Sequence, residues 1–164
     1  RGPWYQEQQL LGLNWRMPEM SAALGESQIS RLAENLANRR AIAKRYDEGF
    51  VTGPFILPRL HHPERESSWL LYVLQAEFDD KKRSKAEFMR RLSQAGIHTQ
   101  VHQIPVYRHP YYRSRWGDLR MNYPNAETYY RRALSIPMYP GLTETEQSYV
   151  IERCLDAWTA LAGC

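Results

Sequence analysis

Between His102 and Arg120 the chain gathers Tyr107, Arg108, His109, Tyr111, Tyr112, Arg113, Arg115 and Trp116 into one proline-interrupted stretch. Tyrosine offers a broad stacking face with a hydroxyl on its rim, and arginine a planar fork of donors that matches phosphate oxygens. A segment of this make-up suits a nucleotide or another phosphorylated ligand. The alternative is a structural loop packed by its own aromatics. A second group, Gly12-Leu13-Asn14-Trp15-Arg16-Met17, stands just ahead of a helix start, where free backbone N–H groups already favour an anion. An amide at Asn14 and a guanidinium at Arg16 would hold a phosphate or a sugar hydroxyl there.

Other chemistries lack their residues. The sequence contains no GxGxxG, no GxxxxGK[ST], no HExxH and no GxSxG. His98 and His102 share a face of a strand-like alternation, about 13 Å apart, beyond the reach of a common metal ion. No metal site is expected. Cys154 and Cys164 form neither a disulfide framework nor a zinc pattern, which points to a reducing, cytoplasmic setting.

The elements that must position these groups follow from the pattern of apolar residues. Apolar residues make up 43% of the 164 and charged residues 24%, a balance that supports a packed core. That length suits one compact domain or the smaller half of a larger protein. No run approaches the roughly 18 apolar residues of a membrane span, so no membrane partner is expected. The net charge of +4 comes with 18 Arg and four Lys, the arginines interleaved with Asp and Glu. That reads as a solvated surface, with no nucleic-acid partner.

Ile29, Leu32, Leu36, Ala43, Tyr46 and Phe50 fall at helical spacing and predict a long amphipathic helix over 19–50. A helix of that length would reach roughly 45 Å and so bridge domains or line an interface. A strand is expected in SSWLLYVLQAEF. A helix from Lys82 to Ala95 follows, capped by Asp79 and Asp80, facing inward with Ala86, Met89 and Leu92, and stopped by Gly96. Ile97 to Ile104 reads as a short strand, and the region from Pro105 to Pro124 as a loop. A short helix near Asn125, a brief strand ALSIPM and a last helix complete the order. That last helix carries a Thr143/Glu146 capping box and runs to about Leu161. The fold class is α/β (α+β), a small mixed sheet flanked by helices with a long N-terminal helix.

The run GLNWRMPEMSAALGESQISRL, followed by RRAIAKRYDE, resembles the DegT/DnrJ/EryC1/StrS family of pyridoxal-phosphate-dependent sugar aminotransferases. The resemblance continues in family order through SSWLLYVLQ, GIHTQVH, IPVYRHPYYR and NAETYYRRALSIPMYPGLTETEQSYVI. Its tail is most similar to the subgroup that aminates C4 of a UDP-linked 4-keto-6-deoxy-N-acetylhexosamine, as in pseudaminic acid synthesis. The fold implied is the small C-terminal domain of a fold-type I aminotransferase. Residues 1–18 would be a remnant of the large-domain, active-site segment, 19–50 the linking helix and 51–164 the small domain.

In such enzymes the Schiff-base lysine and the PLP cradle lie upstream of the segment that Gly12–Met17 matches. The resemblance therefore implies a truncated aminotransferase, catalytically inert alone, with PLP used by the full-length family and none bound to this chain by itself. None of Lys44, Lys81, Lys82 and Lys85 maps to the catalytic lysine, the last three lying in a charged run. Asn14 and Arg16 match the cross-subunit cofactor positions. His102, Tyr107, His109 and Tyr112 match the small-domain edge near the nucleotide-sugar. Leu70 stands where the family commonly has histidine. Implied partners are a second copy, in a homodimer through the long helix, and an N-terminal domain supplied as a separate chain if the enzyme is split. A non-catalytic nucleotide-sugar or protein-binding module is the alternative.

Overall fold

The apolar spacing at the end of the 19–50 region produces a buried face. The computed structural model describes residues 10–13, 15–58, 64–79 and 83–162. Within it the helical region consists of two helices, α1 (Glu19–Ile29) and α2 (Leu32–Phe50). Between them the Ser27 carbonyl accepts from the side chains of Ser30 (2.9 Å) and Arg31 (3.3 Å). The Arg31 amide turns instead to Gln28. Side chains that compete for a helix carbonyl interrupt the ladder in this way. Gly25, the residue most prone to kink a helix, lies inside α1 without a break.

The chain divides into two compact units, Arg1–Ala33 and Glu34–Cys164. In the first, α1 buries no residue. In the second, Ile42, Ala43, Tyr46 and Phe50 of α2 are buried at spacings of one, three and four. They join a core with β1 (Tyr72–Gln75), α3 (Lys85–Gln94), β2 (Ala133–Ile136) and α6 (Glu144–Ala162). β1 and β2 pair antiparallel, Tyr72 opposite Ile136 and Gln75 opposite Ala133. Isolated bridges from Ile56 to Gln75 and from Gln100 to Ser135 extend this small sheet. Phe55, Phe78, Phe88 and Trp158 pack ring on ring with centroids 5.6–6.3 Å apart. Such tilted and edge-on pairs add to what their burial alone contributes.

Several expectations are met. Gly96 ends the helical segment with φ +76°, the left-handed geometry that favours glycine. At the start of α6 the Thr143 hydroxyl accepts from the Glu146 amide while the Glu146 carboxylate accepts from the Thr143 amide, a reciprocal capping box.

Others need correction. Ser84 caps α3, its hydroxyl accepting from the Glu87 amide, and the helix begins at Lys85 rather than Lys82. Its inward face is Phe88 and Leu92, while Ala86 is exposed and Met89 half-buried. A large aromatic outweighs an alanine in setting which side turns inward. The strand expected over 97–104 amounts to the single bridge at Gln100. The expected loop over 105–124 is largely helical: a 3₁₀ turn at Val106–Arg108, α4 (Pro110–Trp116) and a 3₁₀ turn at Arg120–Asn122, followed by α5 (Pro124–Arg132). Pro110 and Pro124 fall at the first turn of their helices, where the missing N–H is harmless, so they start helices here instead of excluding them.

The rotated face of α3 sets a stability test. Phe88→Ala should destabilise the fold by about 3–5 kcal/mol, and Ala86→Ser by no more than about 0.5 kcal/mol. Urea unfolding midpoints compared at constant m-value read both.

Candidate functional site

No residue from His98 to Arg132 is buried, so the segment that carries the candidate residues is not anchored by the apolar core. It is held by α5. Glu127 and Tyr130 lie three residues apart on that helix, hence on one face. The Glu127 carboxylate accepts from the Tyr107 hydroxyl and from Arg108 Nε, both at 2.9 Å, and pairs again with Arg108 Nη2. The Arg108 guanidinium also lies over the Tyr130 ring, 4.8 Å from its centroid. Lys85 Nζ stands 5.1 Å from the same ring and donates to the carbonyls of Tyr130 (2.6 Å) and Ala133 (3.3 Å). Tyr107 stacks on Tyr123 at 5.0 Å.

These contacts set the protonation states. The hydrogen bond from Arg108 holds the Glu127 carboxyl below its ordinary range, with burial opposing and Tyr107 assisting. Burial, and then the bond to Glu127, raises Tyr107. Desolvation lowers Lys85. Although it stands in a charged run, its side chain is half-buried and committed to the C-terminal end of α5.

After α4 the chain turns at Gly117, whose φ of +75° suits only glycine readily. The turn presents Asp118, which accepts from Arg120 Nε and Nη2 and from the Arg120 amide, and lies 3.6 Å from Arg113 Nη2. Arg120 holds the Asp118 carboxyl down to about 2. A cavity of about 220 Å³ lies among Ile104, Tyr107, Arg108, Arg113, Asp118 and Arg120. A second, of about 390 Å³, shares Asp118 and Arg120 and is otherwise lined by Met121, Pro124, Glu127, Thr128 and Arg131.

Of the residues singled out from the sequence, Tyr107 is in this arrangement, lining the first cavity with its hydroxyl spent on Glu127. Tyr112 stacks on Trp116 at 5.6 Å. His109 is exposed at the start of α4 and His102 is half-buried. Arg16 is exposed within the first unit. Asn14, Lys81 and Lys82 lie outside the described residues. Asp118 and Glu127 escaped the sequence reading; Glu127 belongs to a helix 19 residues beyond its arginine. Leu70, at the departure from the family pattern, projects into solvent beside Trp69, whose φ of +50° is strained for a bulky residue. Arg39 Nη1 donates to the carbonyls of both Trp69 and Leu70 and holds that turn.

Two lysines, Lys44 and Lys85, fall among the described residues. Lys44 is exposed and pairs with Glu48, and Lys85 caps backbone carbonyls. Among the described residues no group of three or more His, Cys, Asp or Glu side chains could hold a metal ion. Nor is any described helix long and apolar enough to cross a membrane.

A small two-stranded sheet flanked by helices, carrying an arginine- and tyrosine-lined edge, is the architecture of a small α/β domain. The model of the DegT/DnrJ/EryC1/StrS aminotransferase family matches residues 2–155, and the chain belongs to that family. It is 37% identical over 158 residues to the spore coat polysaccharide biosynthesis protein SpsC of Bacillus subtilis, covering 94% of this chain and 40% of that protein. It is 31% identical to a UDP-4-amino-4,6-dideoxy-N-acetyl-beta-L-altrosamine transaminase of Campylobacter jejuni, covering 90% and 38%. Among solved structures it superimposes on Spr1654 of Streptococcus pneumoniae, known in PMP and PLP forms, with a TM-score of 0.82 and 27% identity, over 88% of this chain and 36% of that one. The chain thus spans about two-fifths of the length of the curated relatives it matches.

The clamp on Glu127 has a pH signature. Its folded-state pKa is depressed, so its stabilising effect is complete above the ordinary glutamate value and fades as the pH falls toward the folded value. Glu127→Ala should therefore be less stable than the parent at pH 7, with the difference shrinking between about pH 5 and pH 3. Urea midpoints at three pH values check this, and a difference independent of pH would assign the effect to packing.

Proposed function

We propose that this chain is the small-domain portion of a PLP-dependent nucleotide-sugar aminotransferase and is inert by itself. The carrying observation is the family match over residues 2–155 by a chain that spans only about two-fifths of its relatives. Residues 1–18 then belong with the large domain, 19–50 with the linking helical region and 51–164 with the small domain. The whole enzyme would transfer an amino group from glutamate to a nucleotide-linked 4-keto sugar, and the likeness to the Campylobacter jejuni transaminase supports a UDP-linked 4-keto-6-deoxy-N-acetylhexosamine. PLP supplies the electron sink for that transfer when it is bound.

This chain's contribution is binding and positioning. Asn14 and Arg16 would meet the cofactor side of the neighbouring subunit. His102, Tyr107, His109 and Tyr112 would line the sugar-nucleotide edge, with Tyr107 acting through its ring. The buried Cys154 thiol, pushed up to about 12 by burial, is inert and compatible with a cytoplasmic setting.

A second copy is the partner this reading implies. The first unit exposes Leu10, Leu11, Leu13, Trp15, Met20 and Leu24, and large exposed apolar patches usually mark an interaction surface. A two-fold dimer through the long helices covers it most simply. Sedimentation at high concentration should show dimers, and a strictly monomeric profile would refute the association. An N-terminal part supplied by a separate chain belongs to the same reading, since it would cover the same surface.

A second reading, a non-catalytic nucleotide-sugar-binding module, is favoured by one observation: this chain carries a cavity lined by Arg108, Arg113 and Arg120. Incubation with PLP and borohydride, followed by intact mass measurement, tests inertness. Scattered, sub-stoichiometric labelling is expected. A single stoichiometric adduct on one lysine would overturn it.

A further inference from the structure

The cavity between the Val106–Arg108 turn, α4 and the Gly117 turn has an unusual charge balance. Three guanidiniums, of Arg108, Arg113 and Arg120, line it together with one carboxylate, Asp118. Glu127 stands behind Arg108 and neutralises it through Nε and Nη2. Asp118 serves two arginines at once, Arg120 through Nε and Nη2 and Arg113 at a looser 3.6 Å. Three positive charges against two negative ones leave one in surplus. The described contacts engage none of the three Nη1 groups. Asp118 is a carboxylate at every physiological pH, so this balance does not change with ordinary pH.

Size and surroundings narrow the ligand. About 220 Å³ lies below the roughly 300–1,000 Å³ that encloses a drug-sized molecule, so the cavity suits a compact head group. The adjoining cavity, of about 390 Å³, shares the Asp118–Arg120 pair and adds Met121 and Pro124, apolar walls for the remainder of a larger ligand. Guanidiniums of Arg113 and Arg120 arriving from separate elements, with one positive charge in surplus, match the several acceptor oxygens of a phosphoryl group better than the two of a carboxylate.

We infer that this cavity is a phosphoryl-anion subsite in which Arg113 and Arg120 bind the ligand and Asp118 is a built-in counter-ion that the ligand displaces. The free site is kept in order by an internal ion pair, and the entering anion takes over donors that Asp118 holds in its absence. No bond to phosphorus is made or broken. The subsite adds a phosphate contact to the nucleotide-sugar reading, but its affinity for an inorganic anion does not depend on that reading.

The test is calorimetric titration of the 164-residue chain with inorganic pyrophosphate at constant ionic strength, beside a UDP-linked sugar. Saturable pyrophosphate binding is expected, about tenfold weaker in Arg113→Ala or Arg120→Gln, the loss of one charge-assisted contact. Asp118→Asn should bind more tightly than the parent, because the competing carboxylate is gone. A purely structural ion pair would give no such gain. Absence of saturable binding in both the parent and Asp118→Asn overturns the subsite, as does binding that neither arginine substitution weakens. Pyrophosphate binding without sugar-nucleotide binding keeps the subsite and sinks the reading of this chain as a nucleotide-sugar-binding module. Sugar-nucleotide binding that both arginine variants retain at full strength does the reverse.

Discussion

A single carboxylate, Glu127, organises the edge of the molecule that carries the candidate residues. The segment from His98 to Arg132 contributes no buried side chain, so hydrophobic burial does little to fix it. Glu127 gathers a hydroxyl and a guanidinium from residues 19 and 20 positions upstream. Tyr130, one turn along, receives that guanidinium on its ring and faces Lys85 as well. Polar networks of this kind strengthen one another when complete and fail together when one member is lost. Order in this edge is therefore largely an electrostatic property, set on a scaffold whose own order is apolar.

The apolar scaffold was largely legible in the sequence. The helical spacing of Ala43, Tyr46 and Phe50, the aromatic run ending in Tyr72-Val73-Leu74, and the Thr143/Glu146 capping box are local signals, and each marks an element that is present. Misreadings arose where a local signal had two meanings. Pro110 and Pro124 were read as breaking helices, yet a proline in the first turn starts one. Acidic residues at 79 and 80 resembled caps, but Ser84 stands nearer the first buried residue. The acidic partners of the arginines were illegible for another reason. Asp118 depends on a glycine turn to face back toward Arg113, and Glu127 on a helix packing against a segment far upstream. Pairings of that kind are properties of the folded chain.

The surplus of arginine over lysine gains a partial explanation here. Much of it decorates solvent, as at Arg40 and Arg90, where the ion pairs are largely exposed and contribute little. Arg108 and Arg39 are different. Arg108 forks onto a carboxylate while its plane covers a ring, and Arg39 bonds two successive carbonyls from one nitrogen. An ammonium is a compact point charge, and lysine could not reproduce the planar fork at Arg108.

Trp69 shows what such a clamp makes possible. Its left-handed backbone costs about 1–3 kcal/mol, held in place by Arg39 and by stacking on Tyr72. The kink lets Trp69 turn inward while its neighbour Leu70 faces out at 69% exposure. The conformation belongs to Trp69 and the clamp, and the side chain at 70 takes no part in it. Position 70 is thus mechanically uncoupled from the core, an editable surface letter beside a fixed anchor. A family built this way can exchange leucine for a polar side chain there, and alter what the surface recognises, without renegotiating the fold.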